Sequence, residues 1–72
     1  MSAKIYWQTI NGKYLGGGST LASILGLPRN MGAEDIPFLR GVAAGNDGYR
    51  DECAKLIDAI MEYESIRVWA EY

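Results

Sequence analysis

The chain contains no histidine and only one cysteine, Cys53. Histidine and cysteine supply most zinc ligands, and they are the usual general base and nucleophile of hydrolytic enzymes. No serine or threonine stands beside an evident base. We therefore expect a protein that is not an enzyme and that holds no metal and no cofactor. Because a lone cysteine cannot form an internal disulfide, Cys53 is predicted to be a small buried side chain, which fits a reducing compartment.

Long apolar runs are also missing. No run approaches the roughly 18 residues that cross a bilayer. The first residues, Met-Ser-Ala-Lys, lack the apolar segment of a secretory signal. The expected location is therefore the cytoplasm, with no membrane partner.

Positive charge is scarce, since seven basic residues stand against nine acidic ones and give a net charge of −2. A domain that binds a phosphate backbone normally carries a basic face and a high isoelectric point. The charge balance argues against nucleic acid as a partner.

The apolar content is sufficient for a folded domain, because 49% of the residues are hydrophobic, including two tryptophans and five tyrosines. The 72 residues are expected to form one domain, 1–72. A chain of this length buries only about 60% of its extended surface, so its stability is limited. Association with a partner or with a second copy would add to it.

The longest regular pattern runs from Asp47 to Glu64. Its apolar residues recur at steps of three and four, which is the spacing of one stripe along an α-helix. We expect Leu56, Ile57 and Ile60 to form the centre of the core. The whole predicted stripe is Tyr49, Cys53, Leu56, Ile57, Ile60 and Met61, and the opposite face is Arg50, Asp51, Glu52, Lys55, Asp58 and Glu62.

The N-terminal region predicts a β-hairpin. Lys4 to Ile10 alternates β-branched and aromatic residues with polar ones, as a half-buried strand does. Asn11-Gly12 favours the two positive φ angles of a type I′ turn, so a two-residue turn should lead into a return strand over Lys13 to Leu15. Gly16 to Gly18 should end that strand, because glycine loses much backbone entropy and offers no side chain to pack.

Two short helices are predicted between the glycines and Asp47. Ser19 or Thr20 can cap the first, which covers Leu21 to Leu25 and stops at Gly26, with Pro28 just beyond. Residues 29–33 then form a loop.

The second short helix should begin near Glu34 or Asp35, with Pro37 tolerated in its first turn, and end at Gly45-Asn46. A glycine inside this helix, Gly41, suggests close approach by another backbone. The residues predicted to be buried are Ile36, Phe38, Leu39 and Val42.

The C-terminal residues, Ser65 to Tyr72, change to a period of two and predict a third strand. A strand that returns after a helical segment most simply pairs with the first hairpin. The expected fold is therefore a small α+β domain of order ββααα and then β, with a three-stranded antiparallel sheet and the helices packed on one face.

Two groups of residues suggest ligand chemistry only weakly. Gly16 to Thr20 ahead of a helix resembles a phosphate cradle, but a P-loop needs its lysine after the glycines, and Lys13 precedes them. A plain strand-to-helix connection is the preferred interpretation. Acidic pairs such as Asp51-Glu52 and Asp58-Glu62 are better explained by helix ends and a solvated helix face than by a cation site.

The sequence from Thr20 to Pro28 resembles the first helix and turn of a helix-turn-helix. A recognition helix would then start near Pro28 or Arg29, where Gly32 and Pro37 interrupt it and few basic residues follow. A small DNA-binding regulator with a degenerate helix-turn-helix is accordingly the alternative function.

The sheet face turned away from the helices is the most informative feature. If Ile66, Val68 and Ala70 face the helices, the outer set of the last strand is Arg67, Trp69 and Glu71. The first strand adds either Tyr6 with Gln8 or Ile5 with Trp7. Tryptophan beside tyrosine and arginine is typical of protein interfaces. The predicted partner-binding residues are Tyr6, Arg67, Trp69 and Glu71. The alternative is that neighbouring long side chains simply half cover Trp69.

These observations favour a non-enzymatic protein-binding module. It would act as a small inhibitor or adaptor on a larger macromolecular partner, and phage-type inhibitors of host enzymes are an abundant source of such domains. A homodimer through the same face is also open.

Overall fold

The computed structural model describes residues 4–18 and 28–71. Their elements are strands β1 (Lys4–Thr9), β2 (Tyr14–Gly18) and β3 (Arg29–Gly32), a 3₁₀ turn (Ala33–Asp35), helices α1 (Ile36–Gly45) and α2 (Asp47–Tyr63), and strand β4 (Ser65–Glu71). The α+β class is confirmed, as is the antiparallel sheet. The sheet has four strands rather than three, in the order β2-β1-β4-β3. The predicted short helix over Leu21 to Leu25 lies outside the described residues.

The turn between β1 and β2 differs from the predicted type I′ turn. Gly12 has a φ of +99°, but Asn11 does not have a positive φ. The Gly12 N–H donates to Thr9 O at 2.9 Å, and the Thr9 N–H donates to Lys13 O at 2.9 Å. The loop is therefore three residues long, Ile10 to Gly12, with the left-handed residue in the third position.

Replacing Gly12 with valine should lower the free energy of unfolding by more than about 1 kcal/mol, because a β-branched residue strongly disfavours a positive φ. Asn11→Asp is the matched control in the same loop and should change stability by less than about 0.5 kcal/mol. Urea denaturation followed by circular dichroism measures both. Equal tolerance of the two changes would contradict the observed loop conformation.

The three glycines do not end β2 but form most of it. A Cβ on Gly18 would lie 1.6 Å from Glu52 Oε1, and a Cβ on Gly16 would lie 3.1 Å from the Trp7 ring. Packing against α2 and β1 therefore requires glycine here and overrides its weak strand propensity. The pairing shifts from Trp7↔Gly16 to Gln8↔Tyr14, which leaves Leu15 as the extra residue of a bulge.

Strand β3 lies where a loop was expected. It pairs with β4 so that Met31 lies opposite Ile66, and both side chains are buried. Arg29 Nη2 donates to Asp35 Oδ1 at 2.9 Å, and the Gly32 N–H donates to Asp35 Oδ2 at 2.9 Å. Asp35 therefore ties both ends of this short strand to the turn that follows it.

Helix α1 begins at Ile36, after the 3₁₀ turn, and ends at Gly45 as expected. Leu39 is fully buried, and Ile36 and Val42 pack at the edge of the core. The prediction for Phe38 is wrong, because that side chain is 48% exposed. The close approach predicted at Gly41 is not made by any residue in 4–18 or 28–71, since none of their atoms lies within 4 Å of a Cβ built there.

Because no described residue stands close to Gly41, Gly41→Ala should raise the free energy of unfolding by up to about 1 kcal/mol through higher helix propensity. Gly18→Ala is the matched control and should destabilise the protein, because its methyl group would displace the Glu52 carboxylate. Thermal melts of both variants measure the difference. Destabilisation by Gly41→Ala would mean that α1 has a neighbour at this point.

Helix α2 confirms the long predicted helix, and Asn46 caps it by accepting a hydrogen bond from Gly48 N at 2.8 Å. The buried stripe is rotated slightly from the predicted one. Met61 is 68% exposed, Ile57 is only partly buried, and Glu52 is 8% exposed although it was assigned to the solvent face. The residues that α2 buries are Glu52, Cys53, Leu56, Ala59 and Ile60.

The core lies between the sheet and the two helices. The sheet contributes residues that alternate along its strands, and the helices contribute one stripe each. The buried hydrophobic residues are Ile5, Trp7, Met31, Leu39, Cys53, Leu56, Ala59, Ile60, Ile66 and Val68.

Candidate functional site

Strands β1 and β4 are the two central strands of the sheet, and their pairing aligns two faces. Ile5, Trp7, Ile66 and Val68 point to the core that the helices cover. The residues that alternate with these four along the two strands point to the opposite side of the sheet. Their paired positions are Lys4 with Glu71, Tyr6 with Trp69 and Gln8 with Arg67. We call these six residues the outer face.

An aromatic cluster occupies the middle of the outer face. The Tyr6 and Trp69 rings are stacked, with centroids 5.6 Å apart and planes inclined by 29°. Tyr14 of β2 extends the cluster, since its ring centroid lies 6.4 Å from that of Tyr6 and its side chain is 61% exposed. Tyr6 and Trp69 are each half-buried. A stacked pair of this kind contributes about 0.5 to 1.5 kcal/mol beyond the area it buries, so the two rings support each other.

Charged side chains lie on both sides of this cluster along the strands. Arg67 stands two residues before Trp69, and Glu71 stands two residues after it, with Lys4 opposite Glu71 on β1. All three are exposed. The face therefore has an apolar centre and a charged periphery, which is the arrangement of a protein interface.

All four residues predicted to bind a partner, Tyr6, Arg67, Trp69 and Glu71, lie together on the outer face. Of the two pairs considered for β1, Tyr6 with Gln8 faces outward, and Trp7 is 2% exposed in the core. Sequence reasoning missed Tyr14, because the bulge at Leu15 changes the alternation along β2.

A cleft lies between β2 and α2. This cleft has a volume of about 460 Å³, with Trp7, Leu15 and two glycines on one side and Lys55, Asp58 and Glu62 on the other. Its charged side chains are one basic and two acidic. The shape and charge indicate no particular ligand.

Cys53 and the acidic residues are the candidate reactive and metal-binding groups of the chain. Burial raises the pKa of the Cys53 thiol, and the neighbouring Glu52 carboxylate raises it further, so the thiol stays protonated at neutral pH. Within residues 4–18 and 28–71, no three acidic or cysteine side chains come together as a metal site would require.

The helix-turn-helix and phosphate-cradle interpretations both depend on residues 19–27, which lie outside the described part of the chain. The stretch that would begin a recognition helix is strand β3 instead. Gly16 to Gly18, the glycines of the cradle, lie within strand β2.

In the described part of the chain, neither helix has the length and apolar character needed to cross a bilayer. The chain matches no family model, no curated protein and no solved structure at a significant level of similarity. The candidate site consequently stands on the geometry of the outer face.

Proposed function

We propose that the protein is a non-enzymatic binding module that attaches to a larger protein through its outer face and inhibits it or links it to another component. The single observation that carries this proposal is the stacked Tyr6 and Trp69 pair on the sheet face opposite the helices. Tryptophan, tyrosine and arginine are the residues that most often dominate binding energy at interfaces.

The partner in this proposal is a folded protein with an apolar recess. Trp69 is half-buried already, so association would remove its remaining surface from water together with part of Tyr6 and Tyr14. Arg67 and Glu71 would lie at the edge of the contact, where charges add selectivity and association rate more than affinity. Because these charges have opposite signs, the partner should present an acidic and a basic group on either side of its recess.

Trp69→Ala tests the proposal, because truncating such a residue weakens the free energy of binding by about 2 kcal/mol or more. That loss corresponds to a roughly 30-fold rise in the dissociation constant. The immobilised chain would first recover its partner from a lysate of the cells that make it. Titration calorimetry with the purified partner would then compare wild type with the variant. Phe38→Ala is the matched control, since Phe38 is an exposed aromatic residue on the helical side.

The Phe38→Ala variant is expected to keep the wild-type affinity for the partner, and the Trp69→Ala variant to lose about 30-fold or more of that affinity. The circular dichroism spectra of both variants should match that of wild type. Equal affinity of the two variants would reject the outer face as the binding site. Salt-sensitive binding to random duplex DNA, unaffected by Trp69→Ala, would instead favour the DNA-binding alternative.

A further inference from the structure

The outer face has opposite charges placed symmetrically about its aromatic centre. Along β4, Arg67 precedes Trp69 by two residues, and Glu71 follows it by two, all on the same side of the sheet. At about 3.4 Å per residue, each charged residue lies roughly 7 Å along the strand from Trp69. On β1, Tyr6 lies directly opposite Trp69, so the aromatic pair marks the middle of the pattern.

This pattern is complementary to itself. Consider two copies that face each other, related by a twofold axis that crosses the strands at the level of Tyr6 and Trp69. The axis places Arg67 of each copy opposite Glu71 of the other and brings the two aromatic pairs together at the centre. Such an isologous contact gives two equivalent ion pairs across one apolar patch. Arginine suits this position because its planar guanidinium can bind a carboxylate with two parallel hydrogen bonds.

The dimensions of the molecule suit the same contact. The domain is thin, with extents of 30, 28 and 17 Å, so its broad faces are large for its size. A chain of 72 residues also has a small core and benefits from covering apolar surface by association.

We infer that a second copy of this chain occupies the outer face when the larger partner is absent, with Arg67 of each copy paired to Glu71 of the other. This inference rests on the proposed function, because it takes the outer face to be an interaction surface. The second copy and the larger partner then compete for the same aromatic residues. Self-association keeps Trp69 covered, and the partner must displace the second copy to bind.

Charge reversal tests the pairing. In Arg67→Glu, the substituted position faces Glu71 of the second copy, and in Glu71→Arg it faces Arg67, so each single variant places like charges together. Each should raise the dimer dissociation constant at least tenfold, as measured by sedimentation equilibrium over a concentration series. Asp51→Arg, a charge reversal on the exposed side of α2, is the matched control and should leave the constant unchanged.

Two further measurements separate this pairing from damage to the fold. An equimolar mixture of the Arg67→Glu and Glu71→Arg chains should form a heterodimer, because every facing pair is then of opposite charge. The double variant, Arg67→Glu with Glu71→Arg, should recover the wild-type constant. Neither recovery is expected if the single variants had simply lost their structure.

The inference is overturned if the wild-type chain stays monomeric at millimolar concentration, or if its dimer is insensitive to both single reversals. A dimer that Lys4→Glu disrupts and Arg67→Glu does not would also overturn it, because the axis would then run along the strands. Partner binding that depends on Trp69 in a strictly monomeric chain would leave the proposed function standing without the dimer. A charge-sensitive dimer whose Trp69→Ala variant still binds the partner at full affinity would support the dimer and reject the proposed binding site.

Discussion

Leu56→Ala should lower the free energy of unfolding by about 2 to 5 kcal/mol, which is comparable with the total stability expected of so small a domain. Leu56 is fully buried in the middle of α2, between Cys53 and Ile60, and it faces the sheet. Removing three carbon atoms leaves a cavity that the sheet and α1 can fill only in part. Urea denaturation, followed by circular dichroism at 222 nm, measures the loss.

Met61→Ala is the control on the same helix, because its side chain is largely exposed and should contribute less than about 0.5 kcal/mol. Ile57→Ala should fall between the two, since Ile57 packs only at the edge of the core. An equal effect of Leu56→Ala and Met61→Ala would mean that α2 presents a different side to the sheet.

Trp7→Ala should destabilise the protein at least as much as Leu56→Ala, lowering the free energy of unfolding by about 3 to 5 kcal/mol. The Trp7 ring is 2% exposed and lies against the backbone of Gly16, so its removal opens a large void in the core. The variant is expected to be largely unfolded at room temperature. Its far-ultraviolet circular dichroism and its amide proton shift dispersion measure that outcome.

Trp69→Ala is the matched control for Trp7→Ala, because the two tryptophans occupy adjacent strands on opposite faces of the sheet. The free energy of unfolding of the Trp69→Ala variant should fall by no more than about 1 kcal/mol, mainly because the stacked contact with the Tyr6 ring is lost. Its remaining fluorescence should come from Trp7 and be blue-shifted, as for an indole away from water. A red-shifted spectrum from a folded Trp69→Ala variant, or a blue-shifted spectrum from a folded Trp7→Ala variant, would contradict the assignment of faces.

Elements with a long hydrophobic period were predictable from the sequence. Helix α2 and strand β4 each carry enough residues for their periods to be read directly, and the hairpin is marked by Gly12. Strand β3 was not predictable, because its four residues, Arg-Asn-Met-Gly, show no alternation and form a strand only by pairing with β4. The strand through Gly16 to Gly18 has the same origin, since the fit around Glu52 and Trp7 outweighs propensity.

Exposure of individual side chains was harder to predict than the elements. Phe38 and Met61 are large and apolar, yet each lies just beyond the edge of the buried stripe. Glu52 is buried because the absent side chain of Gly18 leaves room for it, a relation between residues 34 positions apart. Periodicity within one helix carries no information about such a partner.

The candidate site was partly predictable, because its residues on β4 follow the period of two of that strand. Alternation along β4 identified Arg67, Trp69 and Glu71 as one set, and the structure keeps them on one face. Tyr6 was named as the companion residue on β1, but alternation alone does not separate it from Trp7, because both are large aromatic residues. Only the pairing with β2 and the position of α2 decide which of the two is covered.

The bulge at Leu15 has a consequence for the solubility of the protein. Strand β2 is one of the two edge strands of the sheet, and a straight edge strand offers its unpaired amide and carbonyl groups as a template for another chain. The extra residue bends and twists β2, so those groups no longer form an even row. Edge-to-edge growth of the sheet into fibrils is thereby disfavoured at β2, so the edge beside the aromatic cluster is a poor template on which aggregates would extend.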